Sequence, residues 1–407
     1  MKKLLSILCA AVLLATLVIT CVSCGGSSVS ADFKVGAILI GDENEGYTYA
    51  HINGIRTAAK ELGMSDDQII WKYTVPEDEK CYDAAIDLVE QGCSVIFSNS
   101  YGHQSHMKQA AQECPDVTFV AMTGDQAATS GLSNYKNAFT GVYQSRYVAG
   151  VVAGMKLAEL VADGKLTDAN YDGENIKLGY VGAYPYAEVV SGFTAYYLGV
   201  KSVVENVTMQ VTYTNSWFDI TAEGTVAEAL AADGCVIISQ HADSTGAPAA
   251  VQALQDKGQV IYCVGYNVDM LSVAPNAALT SPTNTWAVYY KYAMETAANG
   301  GTIDTNWAKG YEADAVGITA LGSACAAGTQ EKVDEVVKGL KDGSIKVFDT
   351  SKFTVGGATL TEYLADVDGD FAPDTNAIWD GYFHESEMRS APYFDIRIDG
   401  IVENNNN

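Results

Sequence analysis

The sequence predicts an α/β fold: two doubly wound lobes of parallel sheet with a hinge between them. Three observations carry that prediction. Short apolar runs alternate with helix-spaced stretches, the pattern of parallel strands covered on both faces. Landmarks recur in the same order: Lys34-Val-Gly-Ala-Ile with Lys177-Leu-Gly-Tyr-Val, Asn53-Gly54 with Ser191-Gly192, and Gly92-Cys93 with Gly234-Cys235. A twofold internal repeat is too short for a solenoid and indicates two similar lobes. Finally, short polar side chains follow two of the strands directly, as Ser98-Asn99-Ser100-Tyr101-Gly102 and as Gln240-His241-Ala242-Asp243-Ser244-Thr245. In an open α/β sheet that position is the crevice where ligands bind.

In chain order, Val35 to Ile40 reads as the first strand, Gly41 to Thr48 as a polar loop, and Tyr49 to Leu62 as a helix stopped by Gly63. Gln68 to Thr74 is a strand, Tyr82 to Gln91 a helix, and Val95 to Ser98 a strand. A helix over Ser105 to Glu113 stops before Pro115, and Val117 to Met122 is the fourth strand. Tyr143 to Asp163 is a long helix between the halves. Its Gly150-Val-Val-Ala-Gly154 suits close packing in a soluble protein, because Arg146 and Lys156 bracket a run too short to span a bilayer. The second half repeats the order from Lys177, with Val236 to Ile238 as a buried strand. A short strand over Ala277 to Ser281, a helix over Trp286 to Asn299 and a helix over Gln330 to Leu340 follow. The tail from Gly356 is acidic but carries Tyr363, Phe371, Trp379, Tyr382, Phe383, Tyr393 and Phe394, so it is expected to pack onto the body. Asn404 to Asn407 is expected to be a disordered end.

Composition narrows the function. Of 407 residues, 48% are apolar and 18% charged, a globular balance. A formal net charge of −26 argues against sequence-independent nucleic-acid binding, which needs Lys and Arg against phosphates. Met1-Lys2-Lys3, the apolar stretch Leu4 to Thr20 and Val22-Ser23-Cys24 resemble a bacterial lipoprotein signal, with Cys24 lipidated; Cys21 is the alternative site, and an uncleaved anchor the alternative for the segment. Gly25-Gly-Ser-Ser28 reads as a tether. The expected organisation is therefore signal peptide and lipidated cysteine at 1–24, tether at 25–33, and N-terminal lobe, first part, at 34–125. A crossover with the long helix occupies 126–170, the C-terminal lobe 171–269, a second crossover with completing elements of both lobes 270–355, and the acidic extension 356–407. Cys81, Cys93, Cys114, Cys235, Cys263 and Cys325 form no metal-type pair. Their even number permits disulfides, while their apolar contexts favour small buried hydrophobes.

No G-x-S-x-G, P-loop, H-E-x-x-H or G-x-G-x-x-G is present, so no specific motif argues for catalysis, and neither a cofactor nor a metal is expected. Asp366-Val-Asp368-Gly-Asp370 is only a partial calcium loop, since its glycine is misplaced and no Glu closes it. The aromatics say more. Tyr47, Tyr101, Trp217 and Trp286 fall where strand-end loops should face the cleft, and such faces can clamp a flat ligand. Asp219, His241, Asp243, Asn267 and Asp269 are candidate readers of its polar edge, although Asp219 could instead cap the following helix. Arg146 and Glu188 read as buried charge partners.

Six further segments stand in order along the chain: Glu45-Gly-Tyr47-Thr-Tyr-Ala-His51, Arg146-Tyr-Val-Ala-Gly150, Gly179-Tyr-Val-Gly-Ala-Tyr-Pro185-Tyr-Ala-Glu188, Trp217-Phe-Asp219, Gly265-Tyr-Asn267-Val-Asp269 and Thr285-Trp286. Together they resemble the basic membrane protein family of ABC-transporter substrate-binding lipoproteins, which includes purine nucleoside receptors. The resemblance covers about Lys34 to Phe348. It implies a type I periplasmic-binding-protein-like fold, a purine-like ligand, an ABC permease as partner, and a lipid anchor on the extracytoplasmic face of the cell membrane. It assigns base stacking to Tyr47 and Trp217. Where the nucleoside-binding branch holds ribose with an Asp and a Lys, this chain has Asn267 and Asn284, which favours a free base. Closure would bend the crossovers near Gly124 to Tyr143 and Gly265 to Thr283. Two alternatives stay open: the same fold binding a sugar or signalling ligand, and a nucleoside hydrolase using Asp243 or Asp269 as base.

Overall fold

The computed structural model describes residues 29–404; the leader and Cys24 lie outside the described residues. The chain runs β1 (Val35–Ile38), α1 (Gly46–Glu61), β2 (Ile69–Lys72), α2 (Glu79–Glu90), β3 (Val95–Ser98), α3 (Gln104–Glu113), β4 (Thr118–Met122) and β5 (Tyr135–Thr140). It continues through α4 (Val142–Ala162), β6 (Tyr171–Asp172), β7 (Asn175–Gly182), α5 (Ala187–Lys201), β8 (Val207–Tyr213), α6 (Ile220–Ala232), β9 (Ile237–Gln240), α7 (Gly246–Asp256) and β10 (Tyr262–Val264). Then come β11 (Pro282–Asn284), α8 (Trp286–Ala298), β12 (Asn306–Lys309), β13 (Val316–Ile318) and α9 (Thr329–Lys341).

The first sheet has the order β12-β5-β4-β3-β1-β2 and is parallel throughout. The second contains β10-β9-β7-β8, the same winding as β4-β3-β1-β2, so the repeated landmarks correspond to a repeated topology. Strands such as Val35–Ile38 and Ile237–Gln240 are buried along their whole length, because helices cover both faces. Their ends are set by the residues that follow. Glu45 caps α1, its carboxylate accepting from the Tyr47 and Thr48 amides at 2.8 and 2.9 Å. Gly92 and Gly234, both at positive φ, turn the chain from a helix into β3 and β9.

The structure departs from the sequence reading in several places. β5, β12 and β13 were not expected. Lys136, Asn137 and Thr140 in β5 are polar yet buried, so the strand lacks the apolar signature used to find the others. Ala277 to Ser281 is not a strand: Ala278 alone bridges Cys263, and the ladder forms one step later, where β11 pairs antiparallel with β13. The chain also crosses between the lobes three times rather than twice. Beside the turn at Gly141 and the β11 strand, the segment Lys309–Val316 returns from the first sheet to the second lobe, tied by Gly141 N to Lys309 O at 2.7 Å and Thr285 N to Ala315 O at 2.8 Å. All six cysteines of the described residues are free; Cys81, Cys93, Cys235 and Cys263 are buried, as small hydrophobes would be, while Cys114 and Cys325 are half-buried.

The tail packs as expected and does more. β14 (Leu364–Ala365) pairs with β15 (Thr375–Asn376), and β16 (Ile378–Trp379) with β17 (Tyr382–Phe383). Phe383, Tyr393 and Phe394 are buried, the last stacked on Phe348 at 4.1 Å; Phe371, in contrast, is 86% exposed. Arg389 pairs with Asp125 of the first lobe at 3.5 Å. Of the expected disordered end, Asn404 instead ends β18 (Ile401–Asn404), which joins β8 as a parallel edge strand, and Asn405 to Asn407 lie outside the described residues. The tail thus ties both lobes. The carboxylates of Asp366, Asp368 and Asp370 converge, with Asp366 spent on the loop amides of Asp368, Gly369 and Phe371. No helix of the described residues is long and apolar enough to cross a membrane.

Gly54 is where α1 meets α8. A Cβ there would stand 2.6 Å from Trp286 Cβ and 3.1 Å from the Ala287 amide, so neither neighbour can yield cheaply. Gly54→Ala is expected to destabilise the protein by about 1–3 kcal/mol; an unchanged midpoint in a denaturant melt would contradict this packing.

Candidate functional site: a cleft between the lobes

The carboxyl ends of the two sheets face a cleft of about 550 Å³. From the first lobe it is lined by Ile40, Asp42, Glu45, Tyr47, Glu77, Asn99, Tyr101 and Thr123, and from the second by Tyr184, Glu188, Trp217, Phe218, His241, Asp243 and Tyr266. Five sequence-predicted residues therefore meet here: Tyr47, Tyr101, Trp217, His241 and Asp243. Tyr184, Glu188 and Tyr266, which the sequence does not nominate as ligand contacts, also line it and lie in segments 179–188 and 265–269.

Tyr47 lies in the first turn of α1 rather than in a loop, edge-on to His51 at 4.5 Å and to Trp286 at 6.4 Å, with its hydroxyl 3.4 Å from Thr123 Oγ1. Trp217 stands in the β8–α6 loop among Tyr184 at 5.4 Å, Tyr186 at 6.2 Å and His241 at 6.3 Å. Its carbonyl accepts from the Asp243 amide at 2.8 Å, which ties the two sides of the second lobe's wall. Tyr101 is 43% exposed and donates to Asp125 Oδ2 at 2.7 Å.

Four predicted residues do not line the cleft. Trp286 is 1% exposed and stacks on His51 at 4.2 Å in the first-lobe core, because α8 packs on α1 there. Asp219 caps α6, accepting from the Ala222 amide at 2.9 Å. Asp269 accepts from Leu271 N in a turn. Asn267 lies one layer behind, at φ +61°, donating to Asp243 Oδ1 at 2.8 Å and accepting from Asn284 Nδ2 at 3.0 Å. Asn284 in turn accepts from Thr140 Oγ1. Both amides are occupied with each other and with their neighbours.

His241 and Glu188 exchange the places expected of them. His241 is fully buried, while Glu188, in the first turn of α5, keeps 17% of its side chain exposed on the wall. His241 Nε2 faces Glu188 Oε1 at 3.6 Å. Behind the imidazole, Tyr180 Oη lies 3.4 Å from Nδ1, and the buried Arg146 donates to Tyr180 Oη at 2.8 Å and to Gln240 O at 2.5 Å, with its guanidinium 3.7 Å over Tyr266. Burial holds His241 well below the ordinary imidazole range, reinforced by Arg146, so the ring is neutral. Burial raises Glu188 to about 7 against the pull of Arg146. Asp243 is raised well above its usual range, first by burial and then by Glu45, Glu223 and Glu188. Among the described residues, every charged side chain lining the cleft is acidic.

Residues 40–350 match the family model of the PnrA-like ABC transporter substrate-binding proteins. A purine-binding protein of Brucella abortus is 32% identical over 65% of this chain and 69% of its own length. A putative ABC transporter glucose-binding protein of Haloferax volcanii is 28% identical over 68% of this chain and 64% of its own. The solved ABC transporter solute-binding protein of Aeropyrum pernix superposes with a TM-score of 0.63 at 16% identity, covering 78% of this chain and 93% of that one, a likeness of fold. The chain therefore belongs to the PnrA-like ABC transporter substrate-binding proteins, extracytoplasmic receptors that pass a small molecule to a membrane permease and are not enzymes.

Proposed function

We propose that this receptor is held to the membrane by a lipid on Cys24 and binds a free purine base in the inter-lobe cleft. The observation that carries the ligand is the convergence of aromatic faces from both lobes, Tyr47 and Tyr101 on one side and Tyr184 and Trp217 on the other, around a space of about 550 Å³. Stacking between such faces contributes about 1–3 kcal/mol per aromatic. The purine-binding name of the Brucella relative supports the same class. A base is favoured over a nucleoside because neither Asn267 nor Asn284 lines the cleft: both are held one layer behind it by Asp243, Thr140 and each other, away from ribose hydroxyls. The acidic lining also disfavours phosphorylated ligands. Closure would turn on the three crossovers, and the ligand would stabilise the closed form through contacts made only there. The glucose-binding name of the Haloferax relative keeps a sugar as the second reading, since aromatic faces also stack on sugars.

Calorimetric titration with adenine, guanine, hypoxanthine, their nucleosides and glucose tests this reading. Binding of a base, more tightly than its nucleoside, is expected; glucose binding without base binding would replace it. Trp217→Ala is expected to weaken base binding by about tenfold or more, in line with the loss of one stacking face. An unchanged affinity would remove Trp217 from the site.

The wall also predicts a pH dependence. Glu188 has a folded-state value above its ordinary 4.5, so between about 4.5 and 7 the unfolded chain releases a proton that the folded protein retains. Its contribution is then fully present below that window and is lost as pH rises through it. Thermal melts without ligand should show wild type losing stability relative to Glu188→Gln between these pH values. Parallel curves would show that Glu188 ionises as it does in solution.

A further inference from the structure

We propose that Glu188 sets the specificity of the cleft by accepting a hydrogen bond from an exocyclic amine, so that the ligand is an aminopurine, with His241 as the residue that positions Glu188. The inference rests on the purine reading above and adds to it the kind of purine.

The other acidic groups of the lining already have donors. Glu45 caps α1, Glu77 takes Ser100 Oγ and Gly102 N, Asp42 takes Asn44 N, and Asp243 takes Asn267. Glu188 is hydrogen-bonded to nothing among the described residues, although most of its side chain is buried. A buried carboxyl without a donor is costly, and a ligand N–H would satisfy it.

The residues behind it give the direction of that bond. Arg146 can only donate, so the Tyr180 oxygen accepts from it and turns its own proton toward His241 Nδ1. The neutral ring then carries its proton on Nε2, which faces Glu188 Oε1. The guanidinium and the Tyr180 hydroxyl thus orient the imidazole so that Nε2 points at Glu188 from 3.6 Å, beyond hydrogen-bond length, and Glu188 keeps its acceptor capacity for the cleft. An amine supplies the missing donor. A ring edge with no donor leaves the carboxyl unpaired, and above about pH 7, where Glu188 is ionised, a carbonyl sets oxygen against oxygen. Gly192, one turn along α5, permits this order: a Cβ there would stand 2.8 Å from both Cε1 and Nδ1 of the imidazole.

Sites built to hydrogen-bond a ligand group discriminate strongly against analogues that lack it. Titration of the full mature chain with adenine against purine, and with guanine against hypoxanthine, separates the amine from the rest of the ring. Wild type should prefer at least one amino base over its desamino partner by about tenfold or more. Glu188→Met, which is close in size but has no acceptor oxygen, and Glu188→Ala should both bind the two partners about equally. His241→Gln, which can still donate to Glu188, should keep the preference, and His241→Leu should lose it. Equal binding by wild type, or a preference intact in both Glu188 variants, overturns the role of Glu188 while leaving a purine site in place. A preference intact in His241→Leu overturns the positioning role. Binding of none of the four bases overturns the purine reading and this inference with it.

Discussion

The buried guanidinium of Arg146 is the constraint around which the second lobe's half of the cleft is organised. A fully buried cation must be met by oriented acceptors and polarisable faces, or the fold bears its desolvation. Here the carbonyl at the end of β9, the hydroxyl of Tyr180 on β7 and the face of Tyr266 after β10 supply them. Those groups come from neighbouring strands of one sheet, so the charge holds their carboxyl ends in register. It also acts on the electrostatics of the wall, adding to the burial that keeps His241 neutral and partly offsetting the burial of Glu188 and Asp243.

The same end of the molecule is tied from outside by the tail. One tail strand extends the second sheet beside β8, while Arg389 and Ser390 reach Asp125 and Gly124 at the edge of the first lobe. Asp125 receives the hydroxyl of Tyr101, a cleft residue. The extension is therefore part of the frame that carries the cleft's rim rather than an appendage. Its buried Glu385, whose carboxylate accepts from the Tyr393 and Phe394 amides, shows how an acidic tail can still form a compact element.

Much of this was legible in the sequence because local signals agreed with global ones. Val35–Ile38 and Val95–Ser98 are apolar, short and bounded, and each emerged as a strand of the expected class. Tyr101, Trp217 and Asp243 follow strand ends, and chain connectivity alone brings strand ends to one side of a parallel sheet. Strands such as Tyr135–Thr140 escaped notice because their polar side chains are satisfied by long-range partners: Asn137 bonds Ala127 N and Ala121 O, and Thr140 bonds Asn284. Trp286 was misplaced for the opposite reason. Its position after a crossover suggested the cleft, yet the helix it begins packs on α1, whose Gly54 leaves room for it.

The sequence by itself determined the class of fold, the twofold repeat and the set of strand-end loops from which a ligand site could be made, because these depend on periodicity and on residues near in the chain. Only the tertiary structure decided which of those side chains reach the cleft. Asp219 was claimed by a helix end, Asp269 by a turn, and Asn267 by partners from two other segments. Glu188 and His241 are 53 residues apart, and their order from the surface inward follows from how α5 packs against the end of β9. That depth is a property of packing, set by contacts between distant segments, and no local pattern encodes it.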